Sequence, residues 1–314
     1  MASGKVVVIG ELNVDLIASG LANPPTLGHE ILAADFQITL GSASAIFACG
    51  MSGLGHPVTF ISQIGDDEFG EFCLRMLRRA GLQTDRVIKT SQLKTGVTLS
   101  LSTRRDRALV TYLGAIAELE REQIPLEVLD GHSHLHMTSY FLQQKLQPFF
   151  PQLFAEARQR GLTISFDPNA DPALGWKEEI RAVIASTDIL FVNESEAQQL
   201  TKRTDVNEAL RALGADVPCV VIKLGAKGAA AIRGDEVEFV PGFQVDVVDT
   251  TGAGDSFAAG FVHGFLERRT LRECLELGNA CGALSTLQAG GTAGQPDGAQ
   301  LNQFLDAMKQ RATQ

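Results

Sequence analysis

The 314-residue sequence lacks two features that would indicate a partner directly: a long apolar run and a block of basic residues. No apolar run approaches the roughly 18 residues of a membrane-spanning helix, so the sequence predicts no such helix. Acidic residues outnumber basic ones, with 37 Asp and Glu against 27 Lys and Arg, and the formal net charge is −10. This balance argues against nucleic acid or an anionic membrane as the main partner, although helix ends and a few cations still bind a phosphate locally.

Cysteine is scarce as well. The five cysteines are scattered, odd in number and without a C-x-x-C pair, which is typical of reduced, mostly buried thiols. The chain enters a strand-like segment almost at once, with no signal-peptide pattern of charged and apolar blocks. We therefore expect a cytoplasmic protein. The cysteines are Cys49, Cys73, Cys219, Cys274 and Cys281.

Strand-like and helix-like segments alternate along most of the chain. The apolar run at 5–10 ends in glycine, as expected of a central parallel strand, a helical pattern follows at 42–55, and 58–65 returns to a strand pattern. This alternation predicts an α/β fold with a doubly wound, mostly parallel sheet flanked by helices. Sites in such folds lie at the carboxyl ends of the strands.

The segments at 95–103 and 107–114 differ, because they alternate like strands with two distinct faces. With 29–41, they are expected to form a small sheet separate from the main one. No internal repeat or long linker interrupts the sequence. We therefore predict a single domain over 1–314, with the small sheet built from segments near 12–40 and 94–114.

Two glycines and an aspartate open a helical pattern in "VDTTGAGDSFAAGFVHGF", residues 248–265. Glycine permits a positive φ and a close approach of the backbone to a ligand. The amides of Gly252, Ala253 and Gly254 at a helix N-terminus would form a hole for an anion. A carboxylate among these donors, Asp255, can take a proton from an attacking hydroxyl. A glycine turn with an acidic helix cap explains the same residues, and on these residues alone that plainer explanation is favoured.

The wider string decides between these interpretations. "DTTGAGDSFAAGF" resembles the C-terminal signature of the ribokinase-like (PfkB) carbohydrate kinases, and other segments follow in the order of that family. They are "GELNVDLI" (10–17), a glycine-led helix at 41–55, "IGDDEFG" (64–70), "VNESEA" (192–197) and "IKLGAKGA" (222–229). The matching segments run from residue 6 to about 292, so the resemblance covers nearly the whole chain.

The resemblance implies an ATP-dependent kinase with a ribokinase-like fold. Asp255 would deprotonate a sugar hydroxyl, and the turn at 252–254 would stabilise the transferred phosphoryl group. Asp249 and Thr251 stand where many relatives hold a monovalent cation, but their spacing does not choose between potassium and no ion. In relatives the small sheet is a lid over the acceptor and often supports dimerisation, so we expect a homodimer through the lid.

Asn193 and Glu196 match the N-x-x-E motif of the family, in which such a pair organises a hydrated Mg²⁺. The same spacing before a helix also resembles a capping box, which is the alternative explanation.

The segment "KLGAKGA" supplies Lys223, Gly225 and Gly228 after a buried strand, without the pattern of a Walker loop. In relatives this stretch lies along the nucleotide, and Asn279 lies near the adenine. A plain turn at the strand end and a helix-surface amide are the respective alternatives.

At the acceptor end, Asn13 and Asp15 alternate on one face of an extended segment. An amide and a carboxylate suit the binding of sugar hydroxyls. By resemblance, the sugar-binding surface continues through Gly41, Ser42 and Ser44.

The sequence departs from its family at two acceptor positions. Relatives usually carry an asparagine where Ile46 stands, and relatives that act on sugar acids often carry an arginine where Asp171 stands. Carboxylates near the acceptor would repel a charged substrate, so we predict a neutral sugar. Arg104, Arg105 and Arg107 work against this prediction. They lie at the turn between the lid-like strands, and a guanidinium from this turn would attract an anionic substrate if it entered the pocket.

We therefore predict a kinase that uses ATP and Mg²⁺ to phosphorylate a hydroxymethyl group of a small sugar. Ile46 and Phe47 would also suit the base of a nucleoside, so a nucleoside kinase of the same family is the first alternative. A non-catalytic ligand-binding member is the second, against which the retained Asp255, Asn193 and Glu196 argue. A nucleotide-dependent oxidoreductase is disfavoured, because no G-x-G-x-x-G follows the first strand.

Overall fold

The structure is a computed structural model that describes residues 4–103, 107–173, 175–176 and 178–312. Within these residues the chain forms one large and one small sheet. The strands are β1 (Val6–Ile9), β2 (Asn13–Leu21), β3 (Asp35–Leu40), β4 (Val58–Gly65), β5 (Val87–Thr90), β6 (Gly96–Thr103), β7 (Arg107–Tyr112), β8 (His134–Thr138), β9 (Thr163–Asp167), β10 (Ile189–Asn193), β11 (Cys219–Lys223), β12 (Gly228–Arg233) and β13 (Glu236–Pro241).

Helices alternate with strands through the middle of the chain, and the last three helices follow one another. They are α1 (Ala43–Gly53), α2 (Glu68–Arg79), α3 (Phe150–Gln159), α4 (Glu179–Ala185), α5 (Glu194–Thr201), α6 (Val206–Gly214), α7 (Ala253–Leu266), α8 (Leu271–Ser285) and α9 (Gly298–Ala312). Short 3₁₀ turns lie at Gly114–Glu118, Arg121–Gln123, Leu126–Leu129, Gln147–Phe149 and Gly225–Lys227. In the described part of the chain, none of the helices combines the length and apolar character of a membrane span.

The large sheet has the strand order β13-β12-β11-β10-β9-β8-β1-β4-β5. Strand β12 pairs antiparallel with both β11 and β13, and the other neighbours in the sheet are parallel. Because side chains alternate along a strand, Val6 and Val8 enter the core under α1, α2, α7 and α8, whereas Val7 and Ile9 enter the core under α3 to α6. The predicted doubly wound sheet is confirmed.

The small sheet has the order β3-β2-β6-β7, so a sheet separate from the main one is confirmed. The predicted strand at 29–41 begins later, at Asp35, because residues 29–34 are exposed and irregular. One face carries apolar side chains: Leu16 is opposite both Ile38 and Leu99, and Leu99 is opposite Val110. The other face carries mainly polar side chains, together with Leu109, and it faces the cavity described next.

Candidate active site

A cavity of about 1150 Å³ lies between the polar face of the small sheet and the carboxyl edge of the large one. This edge is where sites of doubly wound folds are expected. The small sheet contributes Asn13, Asp15, Thr98, Ser100, Arg107 and Thr111, and the opposite wall includes Glu11, Ser42, Ser139, Thr251, Gly252 and Asp255. The structure thus brings the predicted base and several of the predicted sugar-binding residues into one cavity.

The glycine turn has the geometry that the sequence predicted. Gly252 is the N-cap of α7 with a φ of 70°, in the left-handed region. A Cβ on Gly252 would lie 2.8 Å from Gly291 Cα, so both its conformation and its surroundings require glycine. Ala253, Gly254 and Asp255 form the first helical turn, where backbone amides and the helix dipole favour an anion.

Asp255 lies among charged groups that set its basicity. Burial, with the carboxylates of Asp167, Glu11 and Asp15, raises the pKa of Asp255 to about 7, although Lys223 opposes the shift. A carboxylate with a pKa near neutrality is a better general base than an exposed aspartate, because it holds a proton more strongly.

Lys223 lies beneath the first turn of α7. Its Nζ is 2.5 Å from Asp167 Oδ2, and a Cβ on Gly254 would lie 3.1 Å from the same Nζ. Burial lowers the pKa of Lys223, but Asp167, Glu196 and Asp255 outweigh burial, so the net shift is upward. The ammonium therefore stays charged beside the predicted phosphoryl site.

Asn193 and Glu196 form a capping box at the start of α5. Asn193 N donates to Glu196 Oε2 at 2.8 Å, and Glu196 N donates to Asn193 Oδ1 at 2.9 Å. The two hydrogen bonds of the capping box that the sequence offered as an alternative are therefore present. Burial and the Asp167 carboxylate raise the pKa of Glu196 to about 7. The carboxylates of Asp167, Glu196 and Asp255 all stabilise the charge of Lys223. Among the described residues, however, no group of three or more His, Cys, Asp and Glu side chains is arranged to hold a metal ion directly. Binding of a hydrated Mg²⁺ at Asn193 and Glu196 therefore stays a prediction.

Asp249 and Thr251, the candidate ligands of a monovalent cation, are hydrogen-bonded to each other. Asp249 Oδ1 accepts from Thr251 N at 3.0 Å and from Thr251 Oγ1 at 2.9 Å, and its Oδ2 accepts from Gly290 N at 2.9 Å. The carboxylate thereby joins the loop before α7 to the loop around Gly290. Occupancy by a monovalent cation stays a prediction.

Asn13 and Asp15 lie on the cavity face of β2. Asn13 Nδ2 donates to Asp15 Oδ1 at 2.9 Å and to Thr98 Oγ1 at 3.3 Å. Burial raises the pKa of Asp15 to about 6, against the opposing effects of Asn13 and Arg107. Gly41 contributes space, since a Cβ there would lie 2.1 Å from Asp15 Oδ1.

The two serines have different surroundings. Ser42 lines the cavity, donates to Glu11 O at 2.5 Å, and caps α1 by accepting from Ala45 N at 3.0 Å. Ser44 is fully buried, and its Oγ donates to Glu11 Oε2 at 2.6 Å. Ser44 therefore positions Glu11, and direct sugar binding by Ser44 stays a prediction.

The turn after β11 and Asn279 were predicted to contact the nucleotide, but Gly225, Gly228 and Asn279 do not line the cavity described above. Gly225 and Gly228 have φ values of 60° and 106°, and a Cβ on Gly228 would lie 2.1 Å from Val240 O. Asn279 is buried, and its Nδ2 donates to Val240 O at 3.0 Å and to Pro241 O at 3.2 Å. The amide thus anchors the end of β13 to α8, which neither sequence interpretation had anticipated.

Sequence reasoning missed two buried carboxylates. Glu11 accepts from Ser44 and, at 2.8 Å, from Ser139 Oγ. Asp167 ends β9 and pairs with Lys223. The position of Asp167 at a strand's carboxyl end was the signal that could have identified it.

Two further charged residues, Asp171 and Arg107, line the cavity and affect the charge that an acceptor would meet there. Asp171 lines the cavity, but its carboxylate accepts from the amides of Ala173, Gly175 and Trp176 at 2.7 to 2.8 Å. Arg107 does reach the cavity, where its Nη1 donates to Thr251 Oγ1 at 3.1 Å. Arg104 and Arg105 lie outside the described residues.

The large sheet, the small sheet over a cavity and the aspartate at a glycine turn define a phosphotransferase of the ribokinase-like type. The model of the pfkB family of carbohydrate kinases matches residues 3–298. The chain therefore belongs to this family and is a carbohydrate kinase.

The relatives that the chain resembles include sugar kinases. The chain is 32% identical over 295 residues to the 2-dehydro-3-deoxygluconokinase of Bacillus subtilis (strain 168), covering 90% of each protein. It is 28% identical over 328 residues to fructokinase-1 of Zea mays, covering 98% of this chain and 99% of the relative. A crystal structure of a candidate ribokinase II from E. coli, in complex with ATP and Mg²⁺, has a TM-score of 0.86 and 25% identity, covering 97% of this chain and 99% of that one.

Proposed function

We propose that this enzyme transfers the γ-phosphoryl group of ATP to a hydroxymethyl oxygen of a small neutral sugar, with Asp255 as the general base. The observation that carries the proposal is the position of Asp255, which faces the cavity from the first turn of α7 with a pKa raised to about 7. Asp255 takes the hydroxyl proton as the acceptor oxygen bonds to the γ-phosphorus. The bond to the β-phosphate oxygen breaks, and ADP leaves with that electron pair.

The chain's own residues supply the stabilisation of the transferred group. The amides at 252–254 and the ammonium of Lys223 bind its oxygens, and they are held in place before the reaction. Asn193 and Glu196, with Asp167 nearby, would hold a hydrated Mg²⁺, which offsets the phosphate charge when bound. The turn with Gly225 and Gly228, together with Asn279, would border the nucleotide.

The neutral acceptor is supported by the carboxylates of the cavity. Asn13, Asp15 and Ser42 supply donors and acceptors for hydroxyls, and Asp15 offsets the charge of Arg107. The similarity to a 2-dehydro-3-deoxygluconokinase favours the opposite class, an acidic sugar, as the second candidate.

A substrate panel separates these candidates. We expect kcat/KM for fructose or ribose to exceed that for 2-keto-3-deoxygluconate and fructose 6-phosphate, and adenosine tests the nucleoside alternative. A clear preference for either charged acceptor would refute the neutral-sugar assignment. Absence of acceptor-dependent ADP release with every compound would favour a non-catalytic member.

We also propose that the small sheet is a lid and that its apolar face forms a homodimer. Phe36, Ile38, Leu99, Val110 and Tyr112 are each 41 to 57% exposed on that face. A contiguous apolar patch of this kind suits an isologous interface between two copies. Light scattering should give a dimer for the wild type and a monomer for Val110→Asp, and a monomeric wild type would contradict the proposal.

Two other predictions concern a monovalent cation and the location of the protein in the cell. Potassium beside Asp249 and Thr251 is tested by comparing kcat in potassium with kcat in a tetramethylammonium buffer. The five cysteines are unpaired and buried, which agrees with the expected cytoplasmic location.

A further inference from the structure

Arg107 connects the small sheet to the loop that precedes the glycine turn. Its pairing with Ser102, two residues from the Ser100–Leu109 pair, puts it on the cavity face of the sheet. From there Nη1 donates to Thr251 Oγ1 at 3.1 Å. Thr251 directly precedes Gly252, the N-cap of α7. A residue of the proposed lid thus lies beside the site of phosphoryl transfer.

The charge of Arg107 differs from that of its surroundings. Among the described residues that line the cavity, Arg107 is the one Lys or Arg, and the carboxylates include Glu11, Asp15 and Asp255. A neutral sugar needs no guanidinium. Oxyanions are the ligands that the planar fork of arginine binds best, through paired charge-assisted hydrogen bonds.

We propose that Arg107 is a catalytic residue that binds oxygens of the phosphoryl group during its transfer from ATP to the acceptor. The inference rests on the proposed kinase reaction and adds a cation from the lid to the amides at 252–254. In the transition state, the bond from the γ-phosphorus to ADP is breaking and the bond to the acceptor oxygen is forming, while the hydroxyl proton passes to Asp255. Arg107 neutralises the negative charge on the remaining oxygens of that group.

The same guanidinium chemistry would serve a carboxylate on an acidic acceptor. The contact with Thr251 favours the phosphoryl group, because it holds the guanidinium beside the helix N-terminus. Because Arg107 belongs to β7, it reaches the transferred group only while the small sheet covers the cavity. Closure of the proposed lid would therefore complete the catalytic site. The two sources of the oxyanion are distinguished by experiment.

The decisive measurement needs no known acceptor. The affinities of Mg·ADP and of Mg·ADP with fluoroaluminate, a mimic of the transferring group, are measured by calorimetry for wild type, Arg107→Met and Arg107→Lys. We expect Arg107→Met to weaken the fluoroaluminate complex on the order of 100-fold and Mg·ADP by less than about threefold. Arg107→Lys should recover part of the loss, because it keeps the charge without the fork. Arg86→Met, which removes an exposed guanidinium paired with Asp85 outside the cavity lining, is the control and should change neither affinity.

Kinetics supply the second arm. With the best neutral sugar, Arg107→Met should lower kcat about 100-fold and leave KM for ATP within about threefold. Equal fluoroaluminate affinities in wild type and Arg107→Met would overturn the inference. So would a loss of activity confined to acidic sugars, which would assign Arg107 to the acceptor. If the wild type phosphorylates no sugar, the proposed function fails, but the fluoroaluminate comparison still decides the role of Arg107.

Discussion

Replacing Asp255 by asparagine should stabilise the protein while it abolishes activity. The raised pKa means that the folded protein binds a proton at Asp255 more tightly than the unfolded chain does. Between about pH 4 and 7 the folded state therefore holds more protons, and stability falls as the pH rises through that window. Asparagine carries no charge, so the free energy of unfolding of the variant does not fall in this pH range through ionisation at position 255.

The magnitude follows from the shift. The pKa rises from 3.8 to about 7, and at roughly 1.4 kcal/mol per unit this corresponds to at most about 4 kcal/mol at about pH 8. Asp255 is partly exposed in the cavity, so part of this energy is screened. With an unfolding entropy near 2.1 cal/mol/K per residue, about 4 kcal/mol would raise the Tm of a chain of this length by about 6 °C.

Scanning calorimetry across pH provides the assay. The difference in Tm between Asp255→Asn and wild type should be largest near pH 8 and shrink to about 2 °C or less near pH 5, where wild-type Asp255 is protonated in the folded state. Asp216→Asn, in an exposed turn, is the control and should show no such trend. A variant less stable than wild type at pH 8, or a difference independent of pH, would refute the reasoning. In parallel, kcat should drop by roughly 100-fold or more, because the amide cannot accept the proton.

Three other predictions follow from the same site. The wild-type rate should rise with pH through an apparent pKa near 7, since protonated Asp255 is inactive, and a rate already maximal at pH 5.5 would exclude Asp255 as the base. Glu196→Gln keeps a capping side chain but loses the charge, so it should raise the Mg²⁺ concentration for half-maximal rate. Because burial also raises the pKa of Glu196 to about 7, the variant should have a higher Tm than wild type at pH 8, as Asp255→Asn does. An unchanged Mg²⁺ titration would leave Asn193 and Glu196 as a cap only. Gly252→Ala should lower the free energy of unfolding by about 1 to 3 kcal/mol and abolish most of kcat, because it adds a Cβ at a φ of 70° within 2.8 Å of Gly291 Cα. Gly234→Ala is the control. Gly234 also has a positive φ but lies in open space, so this variant should lose less stability and keep its kcat.

Local patterns predicted the elements of the site better than its contacts. The glycine turn, the N-x-x-E cap and the alternation of Asn13 and Asp15 depend on residues within a few positions of one another, so the sequence displays them directly. Asp171 shows the limit of this reasoning. Its charge was expected to repel an anionic substrate, yet three amides from the next five residues stabilise the carboxylate, as an aspartate-led turn allows.

The charged contacts of the cavity join residues that are distant in the chain. Glu11 meets Ser139 from 128 positions away, Lys223 meets Asp167 from 56, and Arg107 meets Thr251 from 144. No periodicity in the sequence encodes such pairs. The first two pairs follow from the order of strands in the large sheet, which places their segments at one edge only after the chain has folded. The third pair joins the small sheet to the loop before α7.

Ile46 shows how a departure from the family can be compensated in the fold. A Cβ on Gly291 would lie 2.3 Å from Ile46 Cδ1, and a Cβ on Gly252 would lie 3.0 Å from the same atom. The isoleucine therefore occupies the space that two glycines leave open, beside the turn at 252–254 and in the wall of the cavity. An asparagine at position 46 would lack these apolar contacts but would offer a hydrogen bond to a sugar hydroxyl. Isoleucine offers the contacts and no hydrogen bond. If the proposed sugar site is correct, its hydroxyls are recognised mainly from the small sheet, through Asn13, Asp15 and Thr98. Closure of the proposed lid would then be a condition for binding the acceptor as well as for transferring the phosphoryl group.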